Sequence, residues 1–273
     1  MLKNSGHAQG FNPEFLTTRN LFVPYLIHTL RGNPFAVNHN SLWRAFEHVP
    51  NDNVSESTPE TAYDAARTLG KFHSILATSR FKPSFQLPGF HDTRSILAKL
   101  ERLSLLPENA EKAELAREDI NFLLQEIPKF YLSQNEANQV IHGDPKLANF
   151  LFRDGRVIAT LDLDTMMLSS PLIDLGDGFR SWTRKKPSTP EFKKEVFEAG
   201  VLGYRAGNPN YPITPDKVKQ AMALITLELS ARYLNDFFEE NYFSLSPKYP
   251  SRREQGLTRS RRYKAFFDNF MNS

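Results

Sequence analysis

Apolar residues follow two different rhythms along this chain. Up to about residue 50 they come in short runs, "LFVPYLIHTL" (21–30) and "SLWRAFEHV" (41–49), separated by "RGNPFAVNHN", where Gly, Asn and Pro punctuate a connector. That pattern predicts two strands. Beyond residue 58 the spacing lengthens to the threes and fours of helices. Thr58-Pro59-Glu60 offers a capping hydroxyl, a proline at the first helical position and an acid in the first turn, ahead of "ETAYDAARTLGKFHSILAT". Thr189-Pro190-Glu191 and Thr214-Pro215-Asp216 repeat the signal. Helical spacing follows each, with Phe192, Val196, Phe197 and Val201 after the first and Val218, Met222, Leu224, Ile225 and Leu229 after the second. Amphipathic segments around 93–104 and 112–131 add more helix. Only the middle breaks the rhythm, with the β-type runs "QVI", "NFLF" and "VIATLDL", the last two joined by the turn Arg153-Asp154-Gly155-Arg156. No internal repeat or low-complexity tract is visible.

Composition changes this picture only at its edges. With 273 residues, 40% of them hydrophobic, the chain can bury a sizeable core and fits one large domain or two unequal lobes. The 34 basic and 31 acidic side chains nearly cancel, so polyanions are not strongly attracted. The cluster Arg259, Arg261, Arg262 and Lys264 is interleaved with "YKAFF" and reads as the solvated face of a terminal helix, not as a nucleic-acid surface. The absence of Cys excludes a disulfide framework and a thiolate nucleophile, and leaves oxygen or imidazole to hold any metal. No stretch reads as a signal peptide or a membrane span, so the expectation is a cytoplasmic protein without membrane or nucleic-acid partners.

The chemistry concentrates in "VIHGDPKLANFLF" (140–152). Asp144 and Asn149 stand as D-x-x-x-x-N, and Asp162 lies at the end of the second strand of the hairpin that follows. Phosphoryl transfer from a nucleotide needs one carboxylate to orient and deprotonate the attacking hydroxyl, and an amide oxygen with a second carboxylate to hold Mg²⁺ on the phosphates. The arrangement resembles the H-R-D-x-x-x-x-N loop and D-F-G metal site of protein kinases. Gly143, where those have Arg, points to the small-molecule branch, the aminoglycoside phosphotransferase and choline kinase-like superfamily. Within it the chain is similar to the N-acetylhexosamine kinase-like group, through "HGDPKLANFLF", "LDLDT", "LGDGFR", "ELSARYLNDFFEENYF" and "PGFHDT" (88–93). The likeness runs from the hinge strand near residue 41 to the C-terminus.

This resemblance implies a protein-kinase-like α+β fold, with a reduced N-terminal β lobe and hinge strand over 1–50 and a large, mostly helical C-terminal lobe over 51–273. It implies ATP as donor, Mg²⁺ as metal, and as acceptor a small-molecule hydroxyl of a sugar such as an N-acetylhexosamine. Asp144 is then the catalytic base and Lys146 a cation at the transferred phosphoryl group. Asn149 and Asp162 ligate Mg²⁺, and Asp164 helps with a second ion. The hinge residues Glu47, His48 and Val49 contact the nucleotide, while Arg232, Tyr242, Asp177 and Arg180 face the acceptor. The residues also allow plainer readings: Lys146 as solvated surface, Asp164 as a loop former, Arg232 as a snorkelling helix residue and Asp177 with Arg180 as a local ion pair. His142 is expected to pack beneath the loop, and Asp174 to accept N–H bonds from it. One departure stands out. Before the hinge run "FEHVPN", Lys3 is the only Lys and Glu14 the only Glu, and "SGHAQG" is not followed by an alternating strand. A complete phosphate cover is therefore not expected, which keeps open a truncated pseudokinase or binding module with little turnover.

Overall fold

The computed structural model describes residues 14–17, 21–39, 41–133, 136, 138–185 and 189–273; Lys3 and "SGHAQG" lie outside them. After the short helix α1 (Glu14–Thr17) come β1 (Leu26–Ile27), β2 (Ala36–Asn38), β3 (Ser41–Trp43) and β4 (Ala45–Phe46). β1 pairs with β4 and β2 with β3, both antiparallel. The expected two strands are thus four very short ones, and the supposed connector itself carries β2. Gly32, at φ 76°, closes a turn onto Thr29, which frees residues 36–38 to pair before the chain reverses at His39.

The helical signals read more faithfully. Thr58 caps α2 (Pro59–Ala77), accepting from the Thr61 N–H, while the Thr61 hydroxyl accepts from the Thr58 N–H at 2.8 Å. Asp92 caps α3 (Thr93–Ser104), and Thr214 caps α8 (Pro215–Glu239) by accepting from Lys217 N–H at 3.2 Å. The segment 112–131 is divided into α4 (Ala110–Leu115) and α5 (Arg117–Glu126), followed by a 3₁₀ turn (Ile127–Phe130) whose Pro128 cannot continue the ladder. Thr189-Pro190-Glu191 does not start a helix. Phe192 is instead held in an isolated bridge with Arg184, and α7 (Lys194–Gly207) begins two residues later without a side-chain cap. The chain closes with α9 (Arg252–Met271).

Two ladders organise the site. β5 (Gln139–Ile141) pairs with β8 (Met167–Ser169), and Ile141 opposite Met167 brings residues 142–144 beside 162–166. β8 is not visible in the sequence because three residues carry no clear alternation. β6 (Phe150–Arg153) pairs with β7 (Arg156–Thr160) across the expected turn at Asp154 and Gly155, both at positive φ. Phe150 opposite Thr160 sets Asn149 beside Leu161, whose N–H donates to the Asn149 carbonyl at 2.8 Å. Beneath both ladders runs α6 (Pro171–Trp182), buried along most of its length and packed on α8, which also carries α9 and α3; α2 packs on α7. Gly176 permits the α6–α8 approach, since a Cβ there would stand 2.4 Å from the Ala221 carbonyl oxygen. Among the described residues no helix is long and apolar enough to cross a membrane.

Candidate active site

The turn after β5 is held at nearly every backbone polar atom. The Asp174 carboxylate, fully buried in the first turn of α6, accepts from the N–H groups of His142 and Gly143, each at 2.7 Å. The His73 ring, 2.9 Å away, holds the same carboxylate from α2. The Thr165 hydroxyl donates to the His142 carbonyl at 2.9 Å, and Trp182 Nε1 donates to the Pro145 carbonyl at 3.1 Å. Gly143 sits at φ 87°, and a Cβ there would lie 2.3 Å from the Thr165 carbonyl, so only glycine fits. His142 is buried beneath the turn. Its Nδ1 receives the Asp144 N–H at 3.3 Å and its Nε2 donates to the Leu161 carbonyl at 2.9 Å.

Asp144 emerges from this clamp in an ion pair with Lys146. Burial pushes its carboxyl pKa up, the neighbouring charge of Asp177 adds to that, and Lys146 opposes both. Asn149, buried, donates through its amide nitrogen to the Asp144 carbonyl at 2.7 Å, which leaves its amide oxygen as the atom for a metal. Asp162 follows β7 in the left-handed region at φ 58° and remains 46% exposed, with one carboxylate oxygen 4.0 Å from the Lys146 ammonium. Asp144 and Asp162 therefore meet around one cation, with the Asn149 amide against Asp144. Their oxygens, with those of Asp164, are the hard donors that Mg²⁺ takes. Among the described residues, however, no three His, Cys, Asp or Glu side chains converge as a metal cluster, so the amide of Asn149 is integral to any such site.

Asp164 is already engaged. Arg44, between β3 and β4, reaches across to it with both guanidinium nitrogens, one bond at 2.8 Å. Sequence reading missed Arg44, although a charge inside the apolar run Leu42–Phe46 was a visible signal. Of the hinge, Glu47 and His48 are exposed, and the Glu47 N–H already donates to the Tyr25 carbonyl at 2.9 Å. Val49 accepts from Asn51 through its carbonyl at 3.0 Å.

On the other flank Asp177 and Arg180 form the local ion pair, at 3.1 and 2.5 Å, both from Asp177 Oδ1. Burial alone would push the Asp177 pKa up, but Arg180, His91 and Arg232 bring it below the usual carboxylate range. Its Oδ2 is buried without a partner among the described residues. Arg232 donates to the Tyr242 hydroxyl at 2.5 Å and stacks over the Phe90 ring. Tyr242 is not carried by α8. α8 ends at Glu239, so Tyr242 lies on the following turn, pinned by its N–H to Asp236 at 2.6 Å, with its side chain exposed. Glu228 was also missed, though an acid within "ALITLELSARYL" signals a buried, paired carboxylate; it binds Thr93 and His91.

Comparisons with known proteins bear on the family and the fold. A sequence profile of the phosphotransferase enzyme family matches residues 15–209. Among solved structures, the fold is similar to an aminoglycoside phosphotransferase from Alicyclobacillus acidocaldarius, with TM-score 0.60 and 16% identity over 97% of this chain and 80% of that one. It is also similar to a choline/ethanolamine kinase family protein from Mesorhizobium loti, with TM-score 0.56, 16% identity and coverage of 95% and 80%. The amicoumacin kinase hAmiN, solved with AMP-PNP, Ca²⁺ and Ami, has TM-score 0.60 and 16% identity, with coverage of 93% and 75%.

Proposed function

Because the chain belongs to the phosphotransferase enzyme family, we propose that it transfers the γ-phosphoryl group of ATP to a small-molecule hydroxyl, with Mg²⁺ held by Asn149 and Asp162. The observation that carries this reading is the clamp on residues 142–145, which presents the Asp144 carboxylate beside that oxygen donor set. Asp144 accepts the proton of the acceptor hydroxyl as the new O–P bond forms and the bond from the γ-phosphorus to the β,γ-bridging oxygen breaks. Lys146, now paired with Asp144, is the cation available to the transferred phosphoryl group; a phosphoryl oxygen that takes over the ammonium frees the Asp144 carboxylate for the proton. Mg²⁺, when bound, screens the charge of the β- and γ-phosphates. Glu47, His48 and Val49 flank the adenine.

The acceptor side favours a polyhydroxylated molecule such as an N-acetylhexosamine. Asp177 Oδ2 lacks a donor, and the surrounding cations Arg180, Arg232 and His91 already balance its charge. A neutral O–H suits it better than a second ammonium. Arg232 and Tyr242 supply further donors at the rim. The test is phosphorylation of N-acetylglucosamine and N-acetylgalactosamine by the purified chain with ATP and Mg²⁺. Asp162→Asn should raise the Mg²⁺ concentration needed, since it removes a charged ligand. Failure of any hydroxyl acceptor to be phosphorylated would sink the reading.

A second reading, a nucleotide or sugar-binding module with little turnover, draws on the hold of Arg44 on Asp164, which competes with a metal for that carboxylate. Calorimetry with ATP and with ADP, each with Mg²⁺, separates the two. Near-equal, weak affinities support the binding module; a strong preference for ATP supports the kinase.

A further inference from the structure

Of the groups given no part in the reaction, His91 has the most demanding partners. It precedes α3 with φ 54°, a left-handed backbone unusual for a residue with a Cβ, and its ring lies against Phe90 with centroids 4.3 Å apart. Nε2 is 2.9 Å from the Gly143 carbonyl oxygen, and Nδ1 is 3.0 Å from Glu228 Oε1. A carbonyl only accepts, so Nε2 carries hydrogen. Glu228 Oε2 already accepts the Thr93 hydroxyl at 2.5 Å, and the Glu228 side chain is buried. The one proton between Nδ1 and Oε1 therefore decides whether the pair is charged. Every neighbouring element favours the charged form. Asp177 faces the ring from α6 with Arg180 as its own partner, Arg232 on α8 faces Glu228, and the catalytic turn offers only a carbonyl oxygen.

We propose that His91 is a positioning residue: a buried imidazolium that holds the Gly143–Asp144 peptide, and through it the Asp144 carboxylate, in working orientation. That peptide has two polar ends. The Asp144 N–H is held by His142 Nδ1, and the Gly143 C=O is held by His91 alone among the bonds the structure shows to it. Gly143 has no Cβ to resist rotation, so loss of the His91 bond lets the peptide turn and carry the Asp144 side chain with it. A displacement of about an ångström at the base costs on the order of a hundredfold in rate.

The charge gives this role a pH dependence. Burial alone would push the imidazole pKa down, but Glu228, Asp177 and the Gly143 carbonyl outweigh it and hold the pKa above the ordinary value. When the imidazolium loses a proton, the hydrogen that remains goes to Nδ1, facing the Glu228 carboxylate, and bare Nε2 no longer donates to the Gly143 carbonyl. The folded pKa being raised, the positioning is complete below the ordinary histidine pKa and is lost as pH rises through the raised one. The expected signature is an alkaline fall in kcat, with the KM for ATP little changed.

The proposal rests on the kinase reading of Asp144, so its experiment has one arm that needs no turnover. In the full chain with ¹⁵N-labelled histidine rings, the His91 resonances are those lost in His91→Gln. At the ordinary histidine pKa of roughly 6.5 both ring nitrogens should still be mostly protonated, and Glu228→Gln should move the titration to lower pH. A single neutral tautomer at that pH in the parent chain overturns the charged state. In the kinetic arm, His91→Gln should lower kcat roughly 10- to 100-fold, with the KM for ATP nearly unchanged, and Glu228→Gln should shift the alkaline limb downward. Unchanged kcat in folded variants overturns the positioning role. If the parent chain phosphorylates nothing, the kinase reading fails separately, and amide hydrogen exchange at residues 142–144 decides. Faster exchange in Glu228→Gln at alkaline pH supports the clamp, and unchanged exchange overturns it.

Discussion

The catalytic turn and the strand segment that faces it are built by opposite means. Residues 142–145 are gripped by Asp174, itself held by His73, and by Thr165, Trp182 and His91, most of them fully buried and drawn from several elements of the helical region. The strands between 26 and 46 are two or three residues long and leave Ile27, Leu30, Val37, Trp43 and Phe46 exposed, and they are tied to the site through Arg44 on Asp164. Buried, fully partnered polar groups resist displacement because each lost bond leaves an unsolvated atom behind. Exposed strand edges can exchange their bonds for water at little cost. On the kinase reading proposed above, the proton-accepting carboxylate sits on the rigid side and the strand segment facing it on the side that can move.

The contrast can be broken most forcefully at Asp174. Asp174→Ala leaves two backbone N–H groups and His73 without their acceptor in a dry site, and should cost about 3–5 kcal/mol of stability together with nearly all activity. A denaturant midpoint close to that of the parent would show that the turn is not held as described. Asp144→Asn should separate function from stability. We expect kcat to fall roughly 10²- to 10⁴-fold, the usual contribution of a positioned base, while Tm at pH 7 rises slightly. The sign follows from the pKa: the folded-state carboxyl is pushed up, so the folded protein disfavours the charged form, and stability falls as pH rises from the ordinary carboxylate range through the raised value. The Tm gain should vanish near pH 3, where the parent carboxyl is also protonated, and thermal melts at both pH values check it.

Two milder substitutions probe the strand side. Arg44→Gln releases Asp164, so Mg²⁺ titrated calorimetrically without nucleotide should bind several-fold more tightly, with little change in Tm. Equal Mg²⁺ affinity would mean that guanidinium and metal do not compete for that carboxylate. Leu30→Ser alters a fully exposed side chain and should shift stability by no more than about 0.5 kcal/mol. A larger loss would show that this segment is more tightly packed than its exposure indicates.

Much of the site is legible in the amino-acid sequence alone. D-x-x-x-x-N followed by a hairpin and Asp162 marks the turn on which the proposed site is built, and Thr58, Asp154-Gly155 and Thr214 mark real boundaries, because capping and turn chemistry act within four residues. The Thr189 signal fails because its pull is only local: a bridge between Phe192 and Arg184, set by tertiary packing, outweighs a cap of about 1 kcal/mol. β8 and the four short strands are illegible because two or three residues show no period.

The sequence by itself determined which residue types could do phosphoryl chemistry and that they share one turn. Only the tertiary structure decided their working states. Arg44 lies 120 residues from Asp164, and His91 lies 52 residues from Gly143 and 137 from Glu228. Whether a histidine is charged, a carboxylate is free for a metal, or Asp177 keeps an oxygen for a ligand depends on partners at such separations and on the low dielectric that encloses them. No local pattern along the chain encodes either.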